Sequence, residues 1–242
     1  MSIKTRFDKA STTYDTVATH QKQAATFLVK KIVKFMPQNP QKILDLGTGT
    51  GYMTELLYPK FSQASFYLND ISPNMLEVCK KKFSKNKSFF YLPGSMLDLE
   101  IHGYDCIVSN LALQWVDVSF LDSIFKKKPR LFAFSTLYKS TFQEWYDIIN
   151  QYEPITMNYP TKETLIYRCT HALSSNQVFN FWVKDIPLVH ENAYDFMRYI
   201  QNLGASKISY PLSLKTLKKI RSRPGPITTT YKLFFGILRT VH

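Results

Sequence analysis

Three glycines at alternate positions follow a short apolar run, and no other segment constrains the fold of this chain as strongly. Residues 43–51 read ILDLGTGTG, so Gly47, Gly49 and Gly51 come directly after a predicted strand. The chain has only 8 glycines, and glycine is needed where the backbone turns with positive φ or approaches a ligand closely. Residues 52–57 then predict a helix whose N-terminal amides face that ligand. The segment predicts a nucleotide-like ligand at the carboxyl end of a first parallel strand.

The spacing of the glycines separates two kinds of nucleotide site. A dinucleotide fingerprint is G-x-G-x-x-G, whereas this chain has G-x-G-x-G with Asp45 two residues before the first glycine. An acid in the turn repels a pyrophosphate but suits an ammonium or sulfonium group. The motif resembles the first motif of class I S-adenosylmethionine-dependent methyltransferases. The resemblance implies that Asp45, Gly47, Gly49 and Gly51 contact S-adenosylmethionine, with S-adenosylhomocysteine as product. A glycine turn without a ligand is the alternative.

A second acid supports a nucleoside ligand. Residues 66–70 predict a strand that ends in Asp70, about 20 residues beyond the glycines, where a carboxylate accepts hydrogen bonds from ribose hydroxyls. A plain turn residue at the strand end is the alternative. Ser72 then predicts an N-cap for a helix with Pro73 at its first position. The methyltransferase resemblance adds Ile71 and Met75 to the expected cofactor contacts.

Two later segments complete the expected cofactor site. Ser95 and Met96 follow the third predicted strand. Class I methyltransferases often have an acid at the position of Ser95, so backbone groups or Asp98 would replace it in contacting adenine. Asn110 and Leu111 end the fourth predicted strand, where the acceptor meets the methyl group. The [N/D]-P-P-[F/Y] motif of base N-methyltransferases is missing there, which argues against a nucleobase acceptor and favours a small one.

The order of predicted elements indicates an α/β protein. Strands are predicted over residues 43–46, 66–69, 89–92, 106–109 and 131–136, with helices between most of them, followed by strands over 179–187 and 228–241. This alternation predicts a doubly wound, mostly parallel sheet, Rossmann-like as in class I methyltransferases, with an inserted helical lid. The expected domains are an amino-terminal helical cap (1–40), a cofactor-binding core (41–137), the lid or substrate insertion (138–206), and a carboxyl-terminal helix and strand that complete the sheet (207–242).

Segments along nearly the whole chain resemble the malonyl-acyl carrier protein O-methyltransferases of biotin synthesis. The matching segments are residues 7–10, 14–15 and 21, then 109–115, 134–137, 197–206 and 230–237. The resemblance implies methylation of the free carboxylate of malonyl-acyl carrier protein, or of malonyl-coenzyme A, to a methyl ester. A methyltransferase acting on RNA or on another small molecule is the alternative, and a binding protein with a vestigial cofactor site is a third possibility.

The implied chemistry needs little acid–base assistance. A carboxylate is ionised and nucleophilic at neutral pH because its pKa is about 4, so we expect no general base. Catalysis then rests on alignment and desolvation. Arg198 is the candidate to hold the substrate carboxylate, since guanidinium binds carboxylates bidentately. Tyr14 is the second candidate; Tyr231 and Gln114 are weaker ones.

The net charge of +13 indicates an acidic partner. The family resemblance makes that partner an acyl carrier protein, docked by basic residues near the lid: Arg168, Lys207, Lys215, Lys218, Lys219 and Arg221. Solvated lysine-rich helix faces are the alternative. We expect a monomer that binds neither nucleic acid nor membranes.

Composition narrows the remaining possibilities. No apolar run approaches the roughly 20 residues of a membrane-spanning helix, and the polar start lacks the apolar core of a signal peptide, so we expect a cytoplasmic protein. The three cysteines, Cys79, Cys106 and Cys169, are far apart and form no C-x-x-C pair. They predict buried reduced thiols and no metal site.

Overall fold

The computed structural model describes residues 2–36, 39–155, 158–205 and 212–241. Its helices, numbered in chain order, are α1 (Ile3–Ala10), α2 (Tyr14–Val17), α3 (Thr19–Phe35), α4 (Tyr52–Leu57), α5 (Pro73–Lys82), α6 (Phe120–Lys126), α7 (Gln143–Asn150), α8 (Lys162–His171), α9 (Ala193–Asn202) and α10 (Leu214–Ser222). Its strands are β1 (Lys42–Leu46), β2 (Ser65–Asp70), β3 (Phe89–Pro93), β4 (Cys106–Asn110), β5 (Leu131–Leu137), β6 (Gln177–His190) and β7 (Ile227–Thr240). Short 3-10 turns cover Met96–Asp98 and Leu113–Trp115.

The strands of this described part form one sheet in the order β3-β2-β1-β4-β5-β7-β6. β1 to β5 are parallel, whereas β7 pairs antiparallel with both β5 and β6. From β1 the sheet grows in one direction through β2 and β3, and in the other through β4 and β5. The carboxyl ends of β1 and β4 therefore flank the crevice at which such sheets bind ligands. The predicted doubly wound, mostly parallel sheet is confirmed.

Successive residues of a strand point to opposite faces of the sheet, and helices cover both faces. On one face, Ile43 of β1 lies in an apolar cluster with Leu28 of α3. On the other face, Leu44 of β1 lies in a cluster with Ile124 of α6 and Leu165 of α8. All residues of β5 are buried, as expected of a parallel strand covered on both sides.

The five strands predicted for the cofactor-binding core agree with β1 to β5 within one residue at each end. The predicted start of α5 is also confirmed: Ser72 Oγ accepts a hydrogen bond from Met75 N over 3.2 Å, and Pro73 is the first helical residue. These elements are defined by short apolar runs and local caps, which is why the sequence alone locates them.

The described part of the predicted lid, residues 138–155 and 158–205, contains α7, α8 and α9 and also β6, which includes the strand predicted over residues 179–187. β6 pairs with β7 over its whole length. Its aromatic and β-branched residues favour a strand, and as the edge strand of the sheet it belongs to the core. The predicted boundary between Ser206 and Lys207 lies outside the described residues, and the division into domains stays a prediction.

The predicted amino-terminal cap has two structurally different parts. In α3, Ala24, Leu28 and Ile32 are buried against the sheet, so this helix is part of the core. α1 and α2 instead lie at the carboxyl edge of the sheet, where α1 contacts α5. α1 and α2 are therefore placed to cover a ligand.

No helix within residues 2–36, 39–155, 158–205 and 212–241 has both the length and the apolar character needed to cross a bilayer. α3, for example, has 17 residues but carries Lys22, Lys30, Lys31 and Lys34.

Candidate functional site

A cavity of about 280 Å³, here called the cofactor cavity, opens at the carboxyl ends of β1, β2 and β4. The glycine loop and the ends of β2 and β4 form part of its wall, and α1, α2 and the start of α3 form the rest. Ten of the eleven predicted cofactor residues line it: Asp45, Gly47, Gly49, Asp70, Ile71, Met75, Ser95, Met96, Asn110 and Leu111. The fold thus brings together residues that lie up to 66 positions apart in the chain (111 − 45).

Asp45 is a buried acid in the wall of this cavity, with 1% of its surface exposed. Thr48 Oγ1 and Thr54 Oγ1 donate hydrogen bonds of 2.9 and 2.7 Å to its Oδ2. Within the described residues its Oδ1 accepts none. Burial raises the pKa of Asp45 to about 6, although the two hydroxyls oppose this. A desolvated carboxylate with an open oxygen is suited to a cationic ligand such as an ammonium group.

Asp70, at the end of β2, is held by two backbone amides. Gly49 N–H donates to Oδ2 and Ser72 N–H donates to Oδ1, each over 2.8 Å. Burial nevertheless raises the pKa of Asp70 to about 6. Each carboxylate oxygen can accept a further hydrogen bond, so Asp70 can receive the two hydroxyls of a ribose. Beside it, the buried Oδ1 of Asn69 has no hydrogen-bond partner in the described part of the chain and lies in the same wall.

Two of the three motif glycines are required by close packing as well as by backbone conformation. Gly47 has a φ of 67°, and a Cβ there would collide with the side chain of Ala112. Gly51 has a φ of 80°, and a Cβ there would lie 2.8 Å from the ring of Phe83 on the adjoining α5 segment. Gly51 caps α4 and does not line the cofactor cavity. Its predicted role as a cofactor contact is therefore not reflected in the geometry, which instead gives it a packing role.

The remaining predicted cofactor residues are fixed by local hydrogen bonds. Ser95 caps the turn Met96–Asp98 by accepting from Leu97 N over 3.2 Å. Asn110 Oδ1 accepts from Ser135 Oγ over 2.7 Å, and its Nδ2 donates to the carbonyl of Gln21 over 3.1 Å. Asp98, considered as a replacement for the missing acid, is exposed and does not line the cavity. Ser95 and Met96, in contrast, line the cavity where the sequence predicts adenine contacts.

Two acids fasten α1 and α2 to the cofactor-binding core. Asp8 Oδ1 accepts a hydrogen bond of 2.6 Å from Ser72 Oγ at the start of α5. Asp15 Oδ1 accepts one of 2.6 Å from Thr50 Oγ1 in the glycine loop. We call α1 and α2 together the cap. Both contacts join the cap directly to residues beside Asp70 and Gly49.

A second, narrower space of about 30 Å³ adjoins the cofactor cavity and is called here the aromatic pocket. Phe7, Tyr14, Gln21, Leu111 and Trp115 line both spaces. The other residues of the aromatic pocket are Gln114, Leu137, Phe142, Tyr159, Leu203, Ala205 and Tyr231. Its position at the end of β4 matches the place where the sequence predicts the acceptor.

Two residues of the aromatic pocket have a left-handed backbone conformation that is uncommon for residues other than glycine. Leu111 has a φ of 51° and Phe142 a φ of 57°. Hydrogen bonds hold both: Leu111 N donates to the carbonyl of Ser135 over 3.0 Å, and Phe142 N donates to the carbonyl of Thr230 over 2.9 Å. Left-handed non-glycine residues are often found at functional sites, and here both face the same small space.

The two candidates for holding a substrate carboxylate have different positions. Tyr14 lines both spaces, and burial raises the pKa of its phenol well above the ordinary value, so its hydroxyl stays a donor. Arg198 is exposed on α9 and lines neither space. α9 buries Ala193, Phe196 and Ile200, and at 3.6 residues per turn Arg198 falls on the other side of the helix. Tyr14 is thus brought to the site and Arg198 is not.

Arg6 is a second cation to consider, one that sequence reasoning missed; like Arg198 it lines neither space, but it lies beside the pocket residue Trp115. Its guanidinium carbon lies 5.8 Å from the ring centroid of Trp115, and its carbonyl lies beside Gly204, between the pocket residues Leu203 and Ala205. Its Nε is buried and has no hydrogen-bond partner among the described residues. Desolvation lowers the pKa of Arg6. A partly desolvated guanidinium with an unmet donor is suited to an anion.

Sequence reasoning also missed Phe142 and Tyr159 as pocket residues. Both follow β5, in the stretch where predicted elements lose their regular alternation, so no motif marks them. Gln114 and Tyr231, considered only weakly, do line the pocket. Tyr231 OH accepts a hydrogen bond of 3.0 Å from Gln21 Nε2, which fixes the amide at the boundary of the two spaces.

Comparisons with known proteins agree with this geometry. A family model described as a methyltransferase domain matches residues 43–132. A malonyl-[acyl-carrier protein] O-methyltransferase of Neorickettsia risticii (strain Illinois) is 28% identical over 247 residues, covering 99% of this chain and 96% of that protein. These comparisons support an S-adenosylmethionine-dependent methyltransferase with the Rossmann-like fold of class I enzymes. The resemblance to malonyl-acyl carrier protein O-methyltransferases predicted from sequence is confirmed.

One further relative agrees with the sequence of this methyltransferase, and one solved structure agrees with its fold. A biotin biosynthesis bifunctional protein of Bordetella avium (strain 197N) is 31% identical over 151 residues, which are 60% of this chain and 32% of that protein. The YcgJ protein from Bacillus subtilis has the same fold, with a TM-score of 0.60, 11% identity, and coverage of 90% of this chain and 99% of that one.

The residues of the cofactor cavity fit S-adenosylmethionine. The open oxygen of Asp45 suits its ammonium group, Asp70 suits its ribose, and Met75 and Met96 supply apolar surface. In the described part of the methyltransferase, no group of three or more His, Cys, Asp or Glu residues is arranged to hold a metal ion. Cys79, Cys106 and Cys169 are buried free thiols there.

Proposed function

We propose that this methyltransferase converts the free carboxylate of a malonyl group, carried as a thioester by acyl carrier protein, to its methyl ester, as an early step of biotin synthesis. The similarity over 99% of the chain to a protein named malonyl-[acyl-carrier protein] O-methyltransferase supports the substrate class. S-adenosylmethionine supplies an electrophilic methyl group when bound.

One observation carries the proposed reaction type. Among the described residues, no histidine, aspartate or glutamate lines the aromatic pocket. An amine or alcohol acceptor has to lose a proton, and a base in the pocket would normally assist that loss. A carboxylic acid has a pKa of about 4 and arrives already ionised at neutral pH. The pocket therefore favours a carboxylate over acceptors that need a general base.

The pocket residues would position and desolvate that carboxylate. The Tyr14 hydroxyl can donate to one carboxylate oxygen, and the Arg6 guanidinium can bind at the rim beside Trp115. The rings of Phe7, Phe142 and Trp115 exclude water, which makes a carboxylate more reactive towards a methyl donor. Alignment of the acceptor with the cofactor cavity accounts for the rest of the rate. Arg198, suggested by sequence, would need to reach the site from its exposed position.

The test measures methyl transfer from isotopically labelled S-adenosylmethionine to a panel of acceptors. The panel contains malonyl-acyl carrier protein, acetyl-acyl carrier protein, unloaded carrier protein, malonyl-coenzyme A and bulk RNA. The acetyl form is the matched control because it has the same carrier and thioester but no free carboxylate. The proposal predicts label on the malonyl forms alone.

Two results would argue for a different acceptor. Label on RNA would indicate the alternative of a nucleic-acid methyltransferase, and label on acetyl-acyl carrier protein or on the unloaded carrier would indicate a protein side chain. Binding of S-adenosylmethionine without transfer to any member of the panel would keep the methyltransferase assignment and reject malonate as the substrate.

A further inference from the structure

A third cavity, of about 560 Å³, shares wall residues with the aromatic pocket, and we call it the side chamber. Its walls come from the segment after β4 and from the segment that leads into α8. Its lining includes Leu113, Gln114, Val118, Tyr159, Thr164 and Leu165. Nothing in the cofactor site uses this space.

The side chamber adjoins the aromatic pocket directly. Gln114 and Tyr159 line both spaces, so a ligand passing between these two side chains would extend from the acceptor position into the chamber. Val116 lines both the side chamber and the cofactor cavity. Each pair of the three spaces therefore shares at least one wall residue.

The junction carries an unmet hydrogen-bond acceptor. Gln114 Nε2 donates to the carbonyl of Leu111 over 2.7 Å, which orients the amide. Its Oε1 is buried and has no hydrogen-bond partner within residues 2–36, 39–155, 158–205 and 212–241. A buried acceptor without a donor is costly, and a ligand amide N–H would satisfy it.

The remaining lining suits a long, uncharged, amide-bearing ligand. Apolar residues such as Leu113, Phe120 and Leu165 alternate with the hydroxyls of Thr136, Thr161 and Thr164. The charged lining residues, Asp117 and Lys139, are both exposed and therefore lie at the solvent side. Small-molecule sites typically combine such a mainly apolar wall with a few fixed polar groups.

We propose that the side chamber binds the pantetheine arm of the thioester substrate. This inference rests on the proposed function, in which the malonyl group occupies the aromatic pocket. The thioester sulfur then lies near Gln114 and Tyr159, and the arm extends into the chamber. The first amide N–H of the arm donates to Gln114 Oε1, and its second amide reaches the threonine hydroxyls. The arm leaves at the exposed end, near Lys139, where its phosphate meets a positive charge.

The test compares two malonyl thioesters that differ only in the arm, malonyl-pantetheine and malonyl-ethanethiol. In the wild-type protein we expect kcat/KM to be about tenfold or more higher for the pantetheine thioester. Thr164→Phe fills the chamber and should bring this ratio close to one. Val118→Phe fills it from the opposite wall and should do the same. Thr170→Phe, on the exposed side of α8, is the matched control and should keep the wild-type ratio.

Each outcome has a defined meaning. The melting temperature and the Kd for S-adenosylmethionine report whether each variant is folded. Equal kcat/KM for the two thioesters in the wild type, or an unchanged ratio in both filled variants, would overturn the arm assignment and leave the proposed function intact. Absence of turnover with every malonyl thioester, including the carrier-linked one, would overturn the proposed function and this inference with it.

Discussion

The pH dependence of Asp45 and Asp70 gives the most direct experimental access to the chemistry of the cofactor cavity. Burial raises the pKa of each to about 6 from an ordinary value of 3.8. Their contribution to the free energy of unfolding is therefore complete below the ordinary pKa and is lost as the pH rises through about 6. A cationic cofactor has the opposite dependence, because it binds the ionised carboxylates.

The affinity for S-adenosylmethionine should accordingly depend on pH. For each carboxylate that must be ionised, we expect the Kd to rise by up to about tenfold per pH unit below pH 6 and to be constant above about pH 7. Titration calorimetry measures this dependence directly. Asp70→Asn should weaken binding and flatten the profile, whereas Asp147→Asn, on the exposed surface of α7, should behave like the wild type. A Kd that is the same at about pH 5 and pH 8 in the wild type would contradict the assignment.

Arg6 and Arg198 allow a direct comparison of two candidates for the substrate carboxylate. Because Arg6 is partly desolvated beside Trp115 and Arg198 is exposed, we expect Arg6→Gln to raise KM for malonyl-acyl carrier protein by about tenfold or more. Arg198→Gln should change KM by less than about threefold. Steady-state kinetics at saturating S-adenosylmethionine provide both values. The reverse order would restore the interpretation made from sequence.

At the scale of secondary structure, the elements predicted best are those whose signals are local. β1 to β5 are short apolar runs, and α5 begins with the Ser72 cap, so the sequence locates each within a residue. The position of Arg198 could also have been inferred, because Ala193, Phe196 and Ile200 define the buried side of α9. The residues predicted to contact the cofactor come together in one cavity for the same reason: they follow strand ends.

The aromatic pocket could not be predicted in this way. Its walls come from Phe7 in α1, Trp115 after β4, Phe142 before α7 and Tyr231 in β7. These residues have no common spacing, and only the three-dimensional packing brings them together. The strained backbone of Leu111 and Phe142 likewise has no sequence signal, because leucine and phenylalanine rarely adopt a positive φ.

The cap offers a prediction at this scale. Thr50→Val removes the hydroxyl that bonds to Asp15, and Asp8→Ala removes the acceptor for Ser72. Because hydrogen bonds to charged groups contribute about 1.5–3 kcal/mol, the double variant should release S-adenosylmethionine at least about tenfold faster. Stopped-flow displacement measures this rate. Thr16→Val, which removes a hydroxyl bonded only to the nearby carbonyl of Thr13, is the control; equal release rates in both variants would contradict a role of the cap in retaining the cofactor.

At the scale of the whole molecule, the net charge of +13 is the most prominent property. On α10, Lys215, Lys218 and Lys219 are exposed and form no ion pair with a described residue. Arg168, by contrast, pairs with Asp122 over 2.7 Å, and Lys207 lies outside the described residues. α10 is therefore the part of the predicted docking surface with uncompensated charge.

Charge reversal on α10 tests the docking surface. Lys218→Glu with Lys219→Glu should raise KM for malonyl-acyl carrier protein by about tenfold at low salt, and less at high salt, because complementary charge mainly accelerates association. KM for malonyl-pantetheine, which lacks the carrier, should not change. Lys30→Glu with Lys34→Glu on α3 makes the same change in net charge and is the control. An unaltered KM for the carrier-linked substrate in the α10 variant would exclude this surface.

The most direct measurement is the position of the transferred methyl group on malonyl-acyl carrier protein. After a single turnover, the product is treated with mild base and the released methanol is quantified against the methyl groups transferred. A carboxyl methyl ester predicts one methanol per methyl group, with the carrier protein itself unlabelled after hydrolysis. Label that stays on the carrier protein after base treatment would contradict carboxylate methylation.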